Sequence, residues 1–451
     1  MTRQVAIVGG GLAGLTCAKS LVDAGYRVSI YEGLPFLGGR ASTYRDQDGD
    51  WIEQGLHLFL GTYSEFKKLM QEIGQFPEEV LFWMSEVRLQ DPEGPDAVYG
   101  SNPFIAPIKT ILGFLGQNDY LGLGDKLSLL PLAAPGLKGM KGLEEYDQMT
   151  VHEWWARCGG TQAVLKRFLQ PFCRAIQFTE VDEFSAYNFL GWLHHVTYDL
   201  PHSLLGGYRG ARDELIFAPL GRYLIHHGAT IQTGVKLTRI DYDPSSNLVT
   251  GFHLDNTRQI QADLYVCALP GWNFAPLIPP PLQSTEFFSR IAKLPTAPAI
   301  SVQLWFDRRV VDTDDFTLIA HSQLPVYQDQ ATNAYPTSGG SRISATISPA
   351  EQYLSWGDEE LVALARDNLS AVEPKIKTAR IVKSVVLRHP QHLVKPAPGA
   401  MTSRPTQATP VPNLFLAGDW TQQDYFGSQE GAVRSGRACA AAILQSNELN
   451  R

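Results

Sequence analysis

The feature that most constrains this chain stands at its start. Gly9, Gly11 and Gly14 keep G-x-G-x-x-G spacing between a short apolar run at residues 4–8 and the stretch LTCAKSLVDAG. The first reads as a buried strand. The second places Leu15, Ala18, Leu21 and Val22 on one helical face. Residues 26–31 form a second apolar strand, and Glu32 stands at its end, eighteen residues after Gly14. Each glycine has its own reason. Gly9 allows a tight turn, Gly11 has no side chain to hold a pyrophosphate off the backbone, and Gly14 lets helix and sheet pack closely. The helix offers free N–H groups and the positive end of its dipole to phosphate. Gly9, Gly11, Ala13 and Gly14 are therefore expected at a dinucleotide, with Glu32 accepting from ribose hydroxyls.

The next segment narrows the dinucleotide. GLPFLGGRAST follows Glu32 and carries Gly38, Gly39 and Arg40. This turn resembles the extended fingerprint of the FAD-dependent family that includes amine oxidases and carotenoid desaturases. The resemblance implies FAD as cofactor, with Gly39 close to its diphosphate and Arg40 supporting that site.

Two distant segments look like parts of the same site. Residues 414–417 read as a strand ending at Gly418 and Asp419, and residues 430–443 as a helix rich in small residues. Small side chains permit close packing, and the helix N-terminus, near Gln429 and Ala432, can direct N–H groups at a flavin ring. The resemblance implies that Asp419 binds the ribityl or diphosphate region. Mid-chain, residues 230–233, 236–240 and 264–270 read as strands. The resemblance gives Leu237 a backbone contact with adenine.

The fold class expected is α/β: a Rossmann-type FAD-binding domain built from separated segments, with an inserted α+β substrate domain. FAD-binding parts fall at 1–95, 229–272 and 401–451. The substrate domain falls at 96–228, which also faces the membrane, and at 273–400.

Residues 50–63, DWIEQGLHLFLGTY, resemble the plant and cyanobacterial type of phytoene and zeta-carotene desaturases through Glu53, Gly55, Leu56, His57, Gly61 and Tyr63. TQQDY at 421–425 agrees. The resemblance spans the chain and implies a long, lipophilic polyisoprenoid substrate, hydride transfer to flavin N5 and a quinone electron acceptor. Gly55 and Leu56 join the cofactor set. His57 and Glu430 are the candidate proton acceptors, alongside reduced flavin. Arg209 and Arg212 lie in the substrate segment, with a salt bridge as their commoner role. GDWT and AVRSGR also look like the hydroxysqualene dehydroxylases of hopanoid synthesis, which carry Asn-Gly-Gln where this chain has Glu-Gln-Gly-Leu. A flavin amine oxidase is a further alternative. Against it, the place of that family's aromatic clamp holds Gly427-Ser428-Gln429, with Tyr425 and Phe426 nearby but out of register. A flavin-free prenyl-lipid escort of the same fold conflicts with the intact cofactor motifs.

Composition excludes other classes. The net charge of −8 argues against a nucleic-acid partner. The five cysteines are scattered without C-x-x-C spacing, so neither disulfides nor zinc are expected. His194, His195 and His202 near Asp199 do not make a converging set, and no metal is expected. The start of the chain reads directly into a strand, with no signal or transit peptide expected. Apolar runs fall short of the ~18 residues a spanning helix needs. The stretch 103–140 is rich in Ile, Leu, Phe and Pro, with Ile108, Ile111, Leu112 and Leu115 on one face and Lys109, Lys126 and Lys138 along it. It reads as a monotopic membrane patch whose lysines snorkel to headgroups, giving peripheral attachment on the cytoplasmic side.

Overall fold

The computed structural model describes residues 3–100, 116, 118–134, 139–337 and 339–448. Its first layer is a five-stranded parallel sheet in the order Thr230–Thr233, Arg27–Glu32, Gln4–Val8, Leu264–Cys267, Leu414–Leu416. Strands from the start, the middle and the end of the chain thus stand side by side. Residues 5–8, Leu264–Cys267 and Leu414–Leu416 are buried on both faces and read as apolar runs, whereas the edge strand Thr230–Thr233 is polar and partly exposed. Helix Leu12–Asp23 starts at Gly11 without a side-chain cap and lies on this sheet. Helix Gln429–Glu448 packs directly against it: a Cβ at Gly436 would stand 2.4 Å from the Ala13 carbonyl oxygen. Its small residues exist for that approach.

The second layer is a seven-stranded sheet, ordered Ile381–Val394, Thr296–Phe306, Arg342–Ile347, Val326–Asp329, Thr317–Ile319, Glu86–Gln90, Ala97–Gly100. Alternation along Thr296–Phe306 separates its two faces. Ile300, Val302 and Leu304 pack with Leu361, Ala365 and Leu369 of helix Asp358–Val372. Ala299 and Ser301 face the central cavity instead.

Three expectations change here. Strand Glu86–Gln90 was assigned to the FAD-binding part but belongs to the second sheet, where Arg88, Leu89 and Gln90 pair with Thr317, Leu318 and Ile319. Conversely, Phe217, Leu220 and Leu224 lie before residue 229 yet complete the core beneath the first sheet. Apolar periodicity reveals that a face is buried, not which layer buries it. Lys126 does not point to solvent: it is 1% exposed, and its ammonium donates to the Gly116 carbonyl and, at 3.0 Å, to Asn118 Oδ1. A buried ammonium needs such acceptors, and the turn before helix Leu123–Ser128 supplies them. Residues 101–115, Lys138 and the face built on Ile108 lie outside the described residues.

Candidate active site

A cavity of about 810 Å³ opens where the two sheets meet. At one end lies the glycine turn. Gly9 takes φ +105°, and a Cβ there would stand 2.6 Å from the Ala268 carbonyl oxygen. A Cβ at Gly14 would stand 2.0 Å from the Gly9 carbonyl oxygen, so Gly14 serves packing and does not line the cavity. Gly11 differs: a Cβ there meets no protein atom closer than 3.9 Å and would project into the open space. The uncapped helix N-terminus faces the same space.

Glu32 lines the cavity, buried, with its oxygens accepting from the N–H groups of Gly10 at 2.6 Å and Leu34 at 2.8 Å. A carboxylate offers about four acceptor positions, so room is left for two hydroxyls. Gly39 and Arg40 stand opposite. The Arg40 guanidinium donates to Asp419 and, at 2.9 Å, to the His392 carbonyl, joining the first turn to the last strand. Gly418 is held by the Ser435 hydroxyl at 2.8 Å. Buried atoms without partners among the described residues, Ser301 Oγ and His392 Nδ1, belong to residues of the cavity wall. A diphosphate-bearing dinucleotide fits this set: open backbone beside a helix N-terminus, a ribose acceptor, and a guanidinium already paired.

The loop at 53–57 rests on a buried ion pair. Arg212 Nη1 lies 3.1 Å from Glu53 Oε1, and both residues are almost fully buried. Arg212 also donates to the carbonyls of Ala41 at 2.7 Å and Gly55 at 3.4 Å. Glu53 further accepts from Tyr335 and Gln330, each at 2.9 Å. Burial alone would raise its pKa, but the charges of Arg212 and Arg342 outweigh burial and hold it below the usual carboxylate value. Arg209 instead donates to the Leu81 carbonyl at 2.9 Å.

His57 lines the cavity, and its Nδ1 lies 2.7 Å from the Gly55 carbonyl. That carbonyl can only accept, so Nδ1 carries the proton and Nε2 presents a lone pair. Burial, then the Arg212 charge, pushes its pKa down to about 3. We expect no imidazole titration of His57 between about pH 5 and 8. NMR of labelled histidines checks this, and a His57 pKa near its ordinary value would overturn the assignment. Neutral His57 favours the fold fully above the ordinary histidine pKa, and that contribution is lost as pH falls toward 3.

Of the other expected residues, Gly9, Gly11, Ala13, Gly55, Leu56, Leu237, Gly418, Asp419, Gln429 and Ala432 also line the cavity. Glu430 does not. Its carboxylate accepts from the N–H groups of Glu65 at 3.0 Å and Phe66 at 2.8 Å, and from Arg434 at 2.8 Å. It caps helix Ser64–Glu72 from outside, which removes it as a proton acceptor for chemistry in the cavity. Sequence reasoning missed His389 and His392, which line the cavity from strand Ile381–Val394. The pairing of this strand jumps from Ala299↔His389 to Ala297↔Leu393, and the bulge lets both rings reach one space. Pro390, inside a strand-like run, was the available signal. Burial holds both imidazoles below their ordinary pKa, reinforced for each by the Arg40 charge.

A dinucleotide cradle that opens, within one cavity, onto Leu56, Leu58, Ile176, Phe178, Trp192 and Phe316 is the arrangement of an FAD-dependent oxidoreductase. The chain belongs to the flavin-containing amine oxidoreductase family, whose model matches residues 12–444. Within it the chain stands with the carotenoid desaturases. It is 31% identical to the 15-cis-phytoene desaturase of Synechococcus elongatus, over 99% of this chain and 97% of that protein. It is 30% identical to the chloroplastic/chromoplastic 15-cis-phytoene desaturase of Solanum lycopersicum, over 99% of this chain and 78% of that protein. The crystal structure of an oxidoreductase from Methanosarcina mazei shares the fold, with TM-score 0.76 at 17% identity, covering 98% of this chain and 100% of that one.

Proposed function

We propose that this enzyme desaturates a long polyisoprenoid, a carotenoid precursor such as phytoene or zeta-carotene, and passes the electrons to a quinone. The observation that carries this reading is the wall beyond the flavin cradle: Leu56, Leu58, Ile176, Phe178, Trp192 and Phe316 make it a channel for hydrocarbon. Bound FAD supplies the hydride acceptor. Gly9, Gly11, Ala13 and the helix behind them hold its diphosphate, Glu32 its ribose, and Arg40 with Asp419 fixes the far side. Gly39 would stand at the diphosphate, Gly418, Gln429 and Ala432 would line the flavin end, and the backbone of Leu237 would take the adenine. His57, His389 and His392 stay neutral at pH 7. The wall therefore carries no imidazolium to oppose positive charge developing on an allylic carbon as hydride leaves. His57 Nε2 presents a lone pair that can take the departing proton. The apolar wall excludes water from that carbon.

An amine substrate is not favoured. Gly427, Ser428 and Gln429 line the cavity, while Tyr425 and Phe426 turn into a second one. Purified enzyme offered phytoene, zeta-carotene, hydroxysqualene and simple amines under a quinone tests the reading. The expected product has lost two hydrogens and absorbs at longer wavelength. Flavin reduction by amines alone, or reoxidation of reduced flavin by hydroxysqualene with loss of its hydroxyl as water, overturns it.

Glu32→Ala is expected to weaken FAD retention by roughly 1–3 kcal/mol, because ribose hydroxyls and the Gly10 N–H lose their acceptor. FAD content after gel filtration reads this, and unchanged retention sinks the ribose role.

The substrate is nearly insoluble, and we place the enzyme at a membrane surface. No helix among the described residues is long and apolar enough to cross a membrane. Leu123, Leu127 and Leu130, however, are 64%, 52% and 65% exposed at helical spacing. Liposome flotation of Leu127→Asp/Leu130→Asp against the parent protein is expected to separate them. Equal flotation of the two assigns docking elsewhere, and no flotation of the parent ends the claim.

A further inference from the structure

Helix Gln170–Gln177 ends on Phe178, which takes φ 56° and ψ 29°. The left-handed region at a helix end ordinarily belongs to glycine or asparagine, and a bulky side chain is strained there. Such a residue persists only where its surroundings hold it. Here the buried Thr179 donates its hydroxyl to the Gln177 carbonyl at 2.8 Å, and the Gln177 amide donates to the Phe426 carbonyl at 3.4 Å. The turn is thus anchored on both sides of Phe178. Its ring, however, joins none of the buried apolar clusters among the described residues. It lines the large cavity instead, and is only partly buried. There it meets the His392 ring, with centroids 5.1 Å apart and planes at 77°. The His392 carbonyl accepts from Arg40, which pairs with Asp419, so one side chain joins Phe178 to the residues placed at the cofactor. Glycine would take this backbone without strain, and the apolar core gives no reason for an aromatic ring here.

We propose that Phe178 is a specificity-determining residue whose ring packs on the conjugated segment of the polyisoprenoid. The inference rests on the carotenoid-precursor reading above. A chain of isolated double bonds offers a neighbouring ring little beyond its apolar area. A conjugated segment is flat and carries an extended π-system, and aromatic contacts of that kind add roughly twofold to tenfold in affinity beyond burial. Desaturation lengthens the conjugated segment from its end. A ring that grips this segment therefore fixes which allylic carbon is presented for hydride transfer. Phe178 makes and breaks no bond; it positions the chain. The strained backbone keeps the ring in the cavity wall, and His392 holds it there edge to face.

Phytoene and lycopersene, its analogue of the same carbon skeleton without the central conjugated triene, separate this contact from plain apolar burial. Dithionite-reduced holoenzyme, immobilised and anaerobic, cannot accept hydride, so uptake of each radiolabelled hydrocarbon from detergent micelles reads binding without turnover. The parent protein is expected to prefer phytoene by about fivefold. Phe178→Leu keeps apolar bulk but no ring, and is expected to bind the two alike. Phe178→Gly is expected to lose the preference as well, yet to melt no lower than the parent, because glycine relieves the left-handed backbone. Circular dichroism and flavin absorbance check the fold of each variant. A Phe178→Leu protein that keeps the preference overturns the proposal, and so does a parent that binds both hydrocarbons alike. A Phe178→Gly protein that melts several degrees lower assigns the ring to the fold and also overturns it. Uptake of neither hydrocarbon by the parent overturns the polyisoprenoid reading itself, whereas equal uptake leaves that reading standing and removes only the role of Phe178.

Discussion

Gly11→Val is expected to yield a folded protein that elutes colourless. Gly11 has φ −81° and ψ 178°, backbone that any residue adopts, so valine adds no strain. A Cβ there meets no protein atom within 3.9 Å. The added methyls instead occupy the space in front of the helix N-terminus, where the diphosphate is to lie. FAD binding is expected to fall by about a hundredfold or more, near 3 kcal/mol. Gly14→Ala provides the contrast. Its Cβ would stand 2.0 Å from the Gly9 carbonyl oxygen, so the helix must move. Overpacking of this kind lowers stability by typically 1–3 kcal/mol, and added FAD does not restore it. Thermal melts and visible flavin absorbance, measured on both variants, distinguish the two effects. A Gly11→Val protein that keeps its full flavin complement places the diphosphate elsewhere.

The second large effect belongs to Arg212. Arg212→Met leaves Glu53 buried without its guanidinium, and breaking such a pair from one side is expected to lower stability by about 3–5 kcal/mol. Arg212→Met/Glu53→Gln should recover part of that, since the orphaned charge is gone. The two residues are in contact, so their effects are not expected to add. Denaturant midpoints read both. Additive losses would mean that the pair contributes nothing as a pair. The same linkage predicts acid sensitivity. Glu53 has a depressed folded pKa, so its stabilisation is complete above the ordinary carboxylate value and is lost as pH falls below it. The flavin should loosen in step, because Arg212 ties the Gly39–Ala41 turn to the Gly55 carbonyl.

The cofactor half of the site was legible for a physical reason. A phosphate cradle is built from neighbours in sequence, and its glycines, helix start and acid must keep fixed spacing. Gly9, Gly11, Glu32 and the Gly38-Gly39-Arg40 turn carry that spacing openly. The other half is long-range. Glu430 has the look of an acid poised at a flavin helix, yet a helix from far upstream turns out to present two bare N–H groups to it. Lys126 has the look of a headgroup lysine, yet a local turn supplies its acceptors. His389 and His392 share a cavity only because a bulge re-aims their strand.

The sequence by itself determined the dinucleotide unit, through spacing and residue type along one stretch, and its resemblance to a known family at several separate segments carried the cofactor and the branch. Only the tertiary structure decided which titratable groups face the cavity, which are spent on ion pairs and caps, and that a second, aromatic-walled cavity lies beside the first. Those outcomes depend on burial and on partners hundreds of residues away, and no local pattern encodes them.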